Sequence, residues 1–162
     1  MKLSTKGSYS VRAMLDLALN FGKDPVLTKD ISFRQGISKG YLEQLFIPLR
    51  VAGLVRGIRG ARGGFMLSRP PKDIRLSEII QATEGSIAPV ACVDEPRLCR
   101  KSGECITRDV WVEMKRACDN VLESLTLQDL IERRKKMSSN ESISRRSPKT
   151  QILPVTNEVD YR

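Results

Sequence analysis

Three observations predict a mainly α-helical chain with one small β-hairpin and a long, partner-seeking helix. Apolar residues recur at helical spacing in the first helical stretch, a glycine-rich tip separates two short β-prone runs near residue 60, and a heptad-like seam runs from Trp111 to Leu125. At 162 residues the chain can bury a core without disulfide staples. Its charge is unevenly divided. Residues 1–76 hold 14 Lys and Arg against five Asp and Glu, whereas residues 77–162 hold 14 of each sign, so the whole net charge of +9 sits in the N-terminal half. Such asymmetry implies a polyanion partner, most simply nucleic acid. The bland alternative is a generally basic soluble protein.

In chain order, residues 5–22 are expected to form the first helix, with Val11, Met14, Leu15 and Ala18 on one buried face. The turn Gly22-Lys23-Asp24-Pro25 ends it. A short second helix runs from a Thr28 N-cap to about Gln35, with Ile31 inward and Gly36 as its stop. Ser38 caps a third, which Pro48 should bend or shorten and Gly53 closes. Two short helices joined by a Gly-containing turn are a helix-turn-helix signature, the second being the recognition helix. Alone that signal is weak. The next stretch of chain strengthens it: Leu54–Arg59 and Phe65–Ser68 read as strands around the tip Gly60-Ala61-Arg62-Gly63-Gly64. Arg59 and Arg62 stand on that tip with little bulk around them, as minor-groove arginines must. The fold class is therefore a winged helix-turn-helix with a β-hairpin wing, plus a long dimerisation helix.

Pro70-Pro71 separates the wing from a packing helix, Leu76 to Thr83, capped by Ser77 or the residues before it and stopped by Gly85. Then Cys92, Cys99 and Cys105 fall in one polar loop among charged residues, Pro96 and Gly103. An apolar core cannot explain them, so they read as soft-metal ligands or redox-active thiols. With no secretory signal and no apolar run near the ~20 residues of a membrane span, a cytoplasmic location is expected, where clustered thiols hold metal more readily than they pair. The chain has no histidine, no recognisable acid–base pair and no phosphate loop, so an enzyme is not expected. A long helix begins near Thr107, with Trp111, Met114, Cys118, Val121 and Leu125 as its seam, and a last helix follows from Thr126. The expected division is residues 1–85 for DNA binding, 86–106 for the cysteine loop, 107–136 for dimerisation and 137–162, Ser-rich and aperiodic, as a disordered tail.

Together these motifs resemble the iron–sulfur cluster regulators, the IscR-like branch of the Rrf family of winged-helix transcription regulators. The resemblance rests on Lys2-Leu3-Ser4-Thr5-Lys6-Gly7, Tyr41-Leu42-Glu43-Gln44-Leu45, Arg59-Gly60, Gly63-Gly64, the three-cysteine loop and Thr126-Leu127. It covers about residues 1–135. It implies a homodimer with swapped long helices on pseudo-palindromic promoter DNA, with Gly40, Tyr41, Glu43 and Gln44 as major-groove readers and Arg59, beside Gly60, in the minor groove. Base-edge chemistry supports two of these independently, since Glu43 can accept from cytosine N4 and Gln44 can pair with adenine; the alternative for each is a solvated helix position. Arg62 stands where many relatives carry a small residue, and is either a phosphate contact or solvated. Lys39 and Arg56 are expected phosphate contacts.

The resemblance further implies a [2Fe–2S] cluster on Cys92, Cys99 and Cys105. Its histidine ligand would fall at Arg108, and an arginine is no ligand. The fourth position is open among Cys118, a carboxylate (Asp94, Glu95, Glu104 or Asp109) and a labile external ligand; Cys118 reads more simply as a small apolar residue of the seam. Related nitric-oxide sensors use an aspartate near the partner's first helix, a region that holds Ser8 and Ser10 here. Arg100, Lys101 and Arg108 would favour thiolates in the loop. A cluster-free thiol- or zinc-based sensor of the same fold, like the cysteine-metabolism repressors, is the alternative.

Overall fold

The computed structural model describes residues 3–60 and 63–144. Helix α1 spans Thr5–Leu19, α2 Thr28–Gln35 and α3 Lys39–Val51. Strands β1 (Val55–Ile58) and β2 (Gly64–Leu67) pair antiparallel, with Val55 opposite Leu67 and Ile58 opposite Gly64. After a 3-10 turn at Pro71–Asp73 come α4 (Leu76–Thr83), α5 (Ala91–Asp94), a second such turn at Pro96–Leu98, α6 (Ile106–Ser124) and α7 (Leu127–Ser144). The mainly helical winged fold expected from the sequence is the fold observed.

One core unites these pieces. Ala13, Met14 and Leu17 of α1 meet Leu42, Phe46 and Leu49 of α3, Ile79 of α4 and Leu127 of α7. Phe46 stacks on Phe65 of β2 at 4.1 Å between ring centroids, which locks the wing to the third helix. Val26 adds a further rung: its N–H donates to the Phe65 carbonyl and its carbonyl accepts from the Phe65 N–H, both at 2.9 Å. Asp16 is only 2% exposed, yet it is satisfied. Arg34 grips it through Nε (3.0 Å) and Nη2 (2.6 Å), and Gln35 Nε2 adds a third bond at 2.9 Å.

Several boundaries differ from expectation, each for a local reason. α1 stops at Leu19 rather than residue 22, where the Asn20 side chain folds back to donate to the Asp16 carbonyl at 2.9 Å. Leu27, not Thr28, is the N-cap of α2, and no side chain caps its first turn. Gly36 does end α2, at φ 63°, and Ser38 does cap α3, its hydroxyl accepting from the Tyr41 N–H at 3.3 Å. Pro48 sits inside α3, which runs three residues past it. The missing N–H would have bonded the carbonyl of Gln44, an exposed residue that water can serve, and burial of Phe46 and Leu49 on either side holds the helix together. Arg75 is the N-cap of α4, its N–H donating to Glu78 at 2.9 Å.

Helix α7 opens on a capping pair: the Thr126 N–H donates to Asp129 at 2.7 Å and the Asp129 N–H to Thr126 Oγ1 at 3.2 Å. It continues through Ser144, so the chain is helical eight residues beyond the expected start of the tail at 137. The remainder of that tail, Arg145-Arg146 included, lies outside the described residues. α6 is amphipathic but buries no residue in the single chain. Of the expected seam, Trp111, Cys118 and Leu125 are half-buried while Met114 and Val121 are exposed; Ile106 (82%) and Val110 (52%) extend the exposed apolar strip toward the cysteine loop.

Candidate functional site

The first turns of α3 carry five predicted contact residues. Lys39, Gly40, Glu43 and Gln44 are exposed, while Tyr41 is half-buried with its ring edge-on to Tyr9 at 6.1 Å. Leu42, Leu45 and Phe46 on the opposite face are buried, which turns the polar residues outward. Lys39 Nζ lies 3.7 Å from Glu43 Oε1, a solvated pair one helical turn apart. Arg56, Arg59 and Gly60 are exposed along and beyond β1; Arg62 lies outside the described residues.

A groove of about 390 Å³ between α3 and the wing brings Lys39, Glu43, Arg59 and Gly60 together. Gly40, Tyr41, Gln44 and Arg56 do not line it. Three lining residues were missed by sequence reasoning: Thr28, Lys29 and Arg50. The first two open the uncapped α2, whose free N–H groups suit a phosphate oxygen, and assigning Thr28 as a cap hid that. Gly60 takes φ 112°, and a Cβ there would meet nothing within 4 Å, so it leaves the tip slim. Gly63 and Gly64 serve the hairpin itself. A Cβ on Gly63 would sit 2.4 Å from the Ile58 carbonyl, and one on Gly64 2.3 Å from that of Val26.

The three loop thiols occupy different local structures. Cys92 is in α5, Cys99 follows the second 3-10 turn, and Cys105 is the N-cap of α6; all are half-buried and unpaired. Arg108 Nε donates to the Cys92 carbonyl at 2.9 Å, tying α5 to the first turn of α6. The residue that cannot be a ligand thus has a structural role in the loop. Cys105 Sγ lies 3.2 Å from Thr107 Oγ1. That hydroxyl and then the Arg108 N–H hold the thiol below its ordinary pKa, against burial and the Asp109 charge. Soft thiolates suit iron or zinc, so the donor chemistry fits. Among the described residues, however, no three Cys, Asp or Glu side chains converge tightly enough to hold a metal ion.

Comparison with known proteins identifies this arrangement. The model of the Rrf2 family, described as an iron-dependent transcriptional regulator, matches residues 3–133. The chain belongs to the Rrf2 family. The HTH-type transcriptional regulator IscR of Vibrio atlanticus is 42% identical over 131 residues, covering 81% of this chain and 75% of that protein. Among solved structures, IscR of T. potens aligns with TM-score 0.70 and 42% identity, over 85% of this chain and 90% of the other. CymR, the global cysteine regulator of B. subtilis, aligns with TM-score 0.68 and 40% identity, over 80% and 95%. As an Rrf2 protein the chain is a transcription regulator on a DNA-binding winged helix, not an enzyme. No helix among the described residues is long and apolar enough to cross a membrane. Both IscR and CymR stand among the relatives, at similar identity, so the family alone does not assign the loop its cofactor.

Proposed function

We propose that this Rrf2 chain is a homodimeric, cytoplasmic regulator that reads promoter DNA with α3 and the wing, under the control of a [2Fe–2S] cluster on its cysteine loop. The observation that carries the reading is the groove joining Lys39 and Glu43 of α3 to Arg59 and Gly60 of the wing, in the half of the chain that holds all the net charge. Glu43 and Gln44 read base edges, Lys39, Arg56 and Arg62 take phosphates, and Arg59 enters the minor groove. Tyr41 acts mainly by placing α3, since its ring rests on Tyr9.

Cys92, Cys99 and Cys105 would hold the cluster, which when bound supplies a redox-labile cross-link between α5 and α6. Taking all three thiols into one site requires the loop to close around them. Arg108 orients the Cys92 end of that loop, and Cys105 fixes the start of α6. α6 packs on α4, which packs on α1 and α3, so a change at the loop has a solid route to the DNA-reading helix. The test is iron and acid-labile sulfide in anaerobically purified protein, expected in the ratio of the cluster. Protein that stays colourless and iron-free after reconstitution contradicts the reading.

A second reading, a cluster-free thiol- or zinc-based switch of the same fold, is kept open by the similar likeness to CymR, the cysteine regulator of B. subtilis. Replacing Cys92, Cys99 and Cys105 with Ala separates the two. In the first case iron is lost, and in the second a metal-free protein loses its response to oxidants.

A further inference from the structure

An open cleft of about 660 Å³ lies where α1 and α2 face α7, away from both the DNA-reading groove and the cysteine loop. Arg34, Gln35, Arg134 and Lys135 line it, above the apolar side chains of Leu19 and Ile131. Asp16 is the one carboxylate among the described residues on its wall, and it is already spent. Arg34 takes both its oxygens and Gln35 adds a third bond, so its charge is cancelled and its acceptors are filled. Arg134 and Lys135 are exposed and enter no ion pair among the described residues. The cleft therefore presents two uncompensated cations beside an apolar floor, at a volume ordinary for a small-molecule site.

We propose that this cleft binds a small amphiphilic anion, its phosphate or carboxylate head taken by Arg134 and Lys135 and its apolar body laid over Leu19 and Ile131. Occupancy is communicated to α3. Arg12 donates through Nη2 to the Gln35 carbonyl and through Nε to Gln35 Oε1 at 3.4 Å. Its guanidinium stands 5.3 Å from the centroid of the Tyr9 ring, and Tyr9 meets Tyr41 of α3 edge-on. An unbroken line of contacts thus joins the cleft to the reading helix. This coupling rests on the assignment of α3 as the DNA reader; binding itself does not.

Calorimetric titration of the full chain, without DNA, with hexyl phosphate, hexanoate and inorganic phosphate tests the site. Saturable binding of hexyl phosphate or hexanoate is expected, about tenfold or more tighter than inorganic phosphate, and weakened at least about tenfold in an Arg134→Ala, Lys135→Ala variant. The two organic probes tell which head group is preferred. Absence of saturable binding, or equal binding by the variant, overturns the proposal. Duplex DNA is titrated separately with and without the saturating probe, and an affinity change of about fivefold or more is expected. No change overturns the coupling, whereas wild-type protein that fails to bind DNA at all indicts the function instead. If the variant loses DNA affinity uniformly and with a shallower salt slope, the two cations are backbone contacts and the effector site falls.

Discussion

Glu43 is the residue on which the proposed base choice turns. Its partner in the free chain is Lys39, at 3.7 Å, with the two side chains 54% and 65% exposed, so the pair holds it weakly and it can change partners on DNA. A carboxylate tolerates cytosine N4 and is repelled by the acceptors of guanine and thymine. Glu43→Ala is expected to cut discrimination between sites by about 1–3 kcal/mol while leaving binding to arbitrary DNA intact. Competition gel-shifts with single-base-pair variants measure this; unchanged discrimination would remove Glu43 from the readers. Gly64 shows what sequence alone did not reveal. A glycine-rich tip reads as slimness toward a ligand, but Gly64 is required by its own chain, because a Cβ would press on the Val26 carbonyl at 2.3 Å. Gly64→Ala should cost on the order of 1–3 kcal/mol in a urea melt, and an unchanged midpoint would mean the Val26 rung yields freely.

At the scale of elements, α6 was easy to find and hard to orient. The seam Trp111-Met114-Cys118-Val121-Leu125 located the helix to within a residue of its start, yet Leu125 turns back as its C-cap to pack on the core. The exposed strip is Ile106, Val110, Met114 and Val121. A 19-residue helix with no buried residue and such an exposed apolar strip is suited to a partner surface. Val121→Glu is accordingly expected to shift the proposed dimer toward monomer in sedimentation equilibrium at micromolar concentration, and a dimer of unchanged strength would place the interface elsewhere. The far end of α7 was illegible for the opposite reason. From Glu132 to Ser139 it is exposed and largely charged or polar, with Ser138 and Ser139 bonding back to the carbonyls of Arg134 and Lys135, so no apolar period announces a helix. Pro48 does not end α3, because Phe46 and Leu49 enter the core on either side of it, which a rule that weighs one lost hydrogen bond cannot see.

At the scale of the molecule, the half proposed to read DNA and the half proposed to sense meet at α4. α4 packs on α1 and α3 on one side and on α6 on the other, and the Leu76 N–H donates to the Leu125 carbonyl at 2.9 Å where α6 ends. The charge asymmetry points to the half proposed to meet DNA, and the cysteine spacing to the proposed control loop. Neither showed that Arg108, standing where a histidine ligand was expected, ties Cys92 to α6, because a long-range bond to a backbone carbonyl leaves no mark in the sequence. The central claim is that the state of this loop sets DNA binding. The most direct test is the promoter-DNA affinity of anaerobic, iron-loaded protein against its Cys92→Ala, Cys99→Ala, Cys105→Ala variant at one fixed salt concentration. A difference of about tenfold or more, in affinity or in site preference, is the predicted result. Equal affinity and equal preference, from two proteins folded to the same stability, would contradict the account.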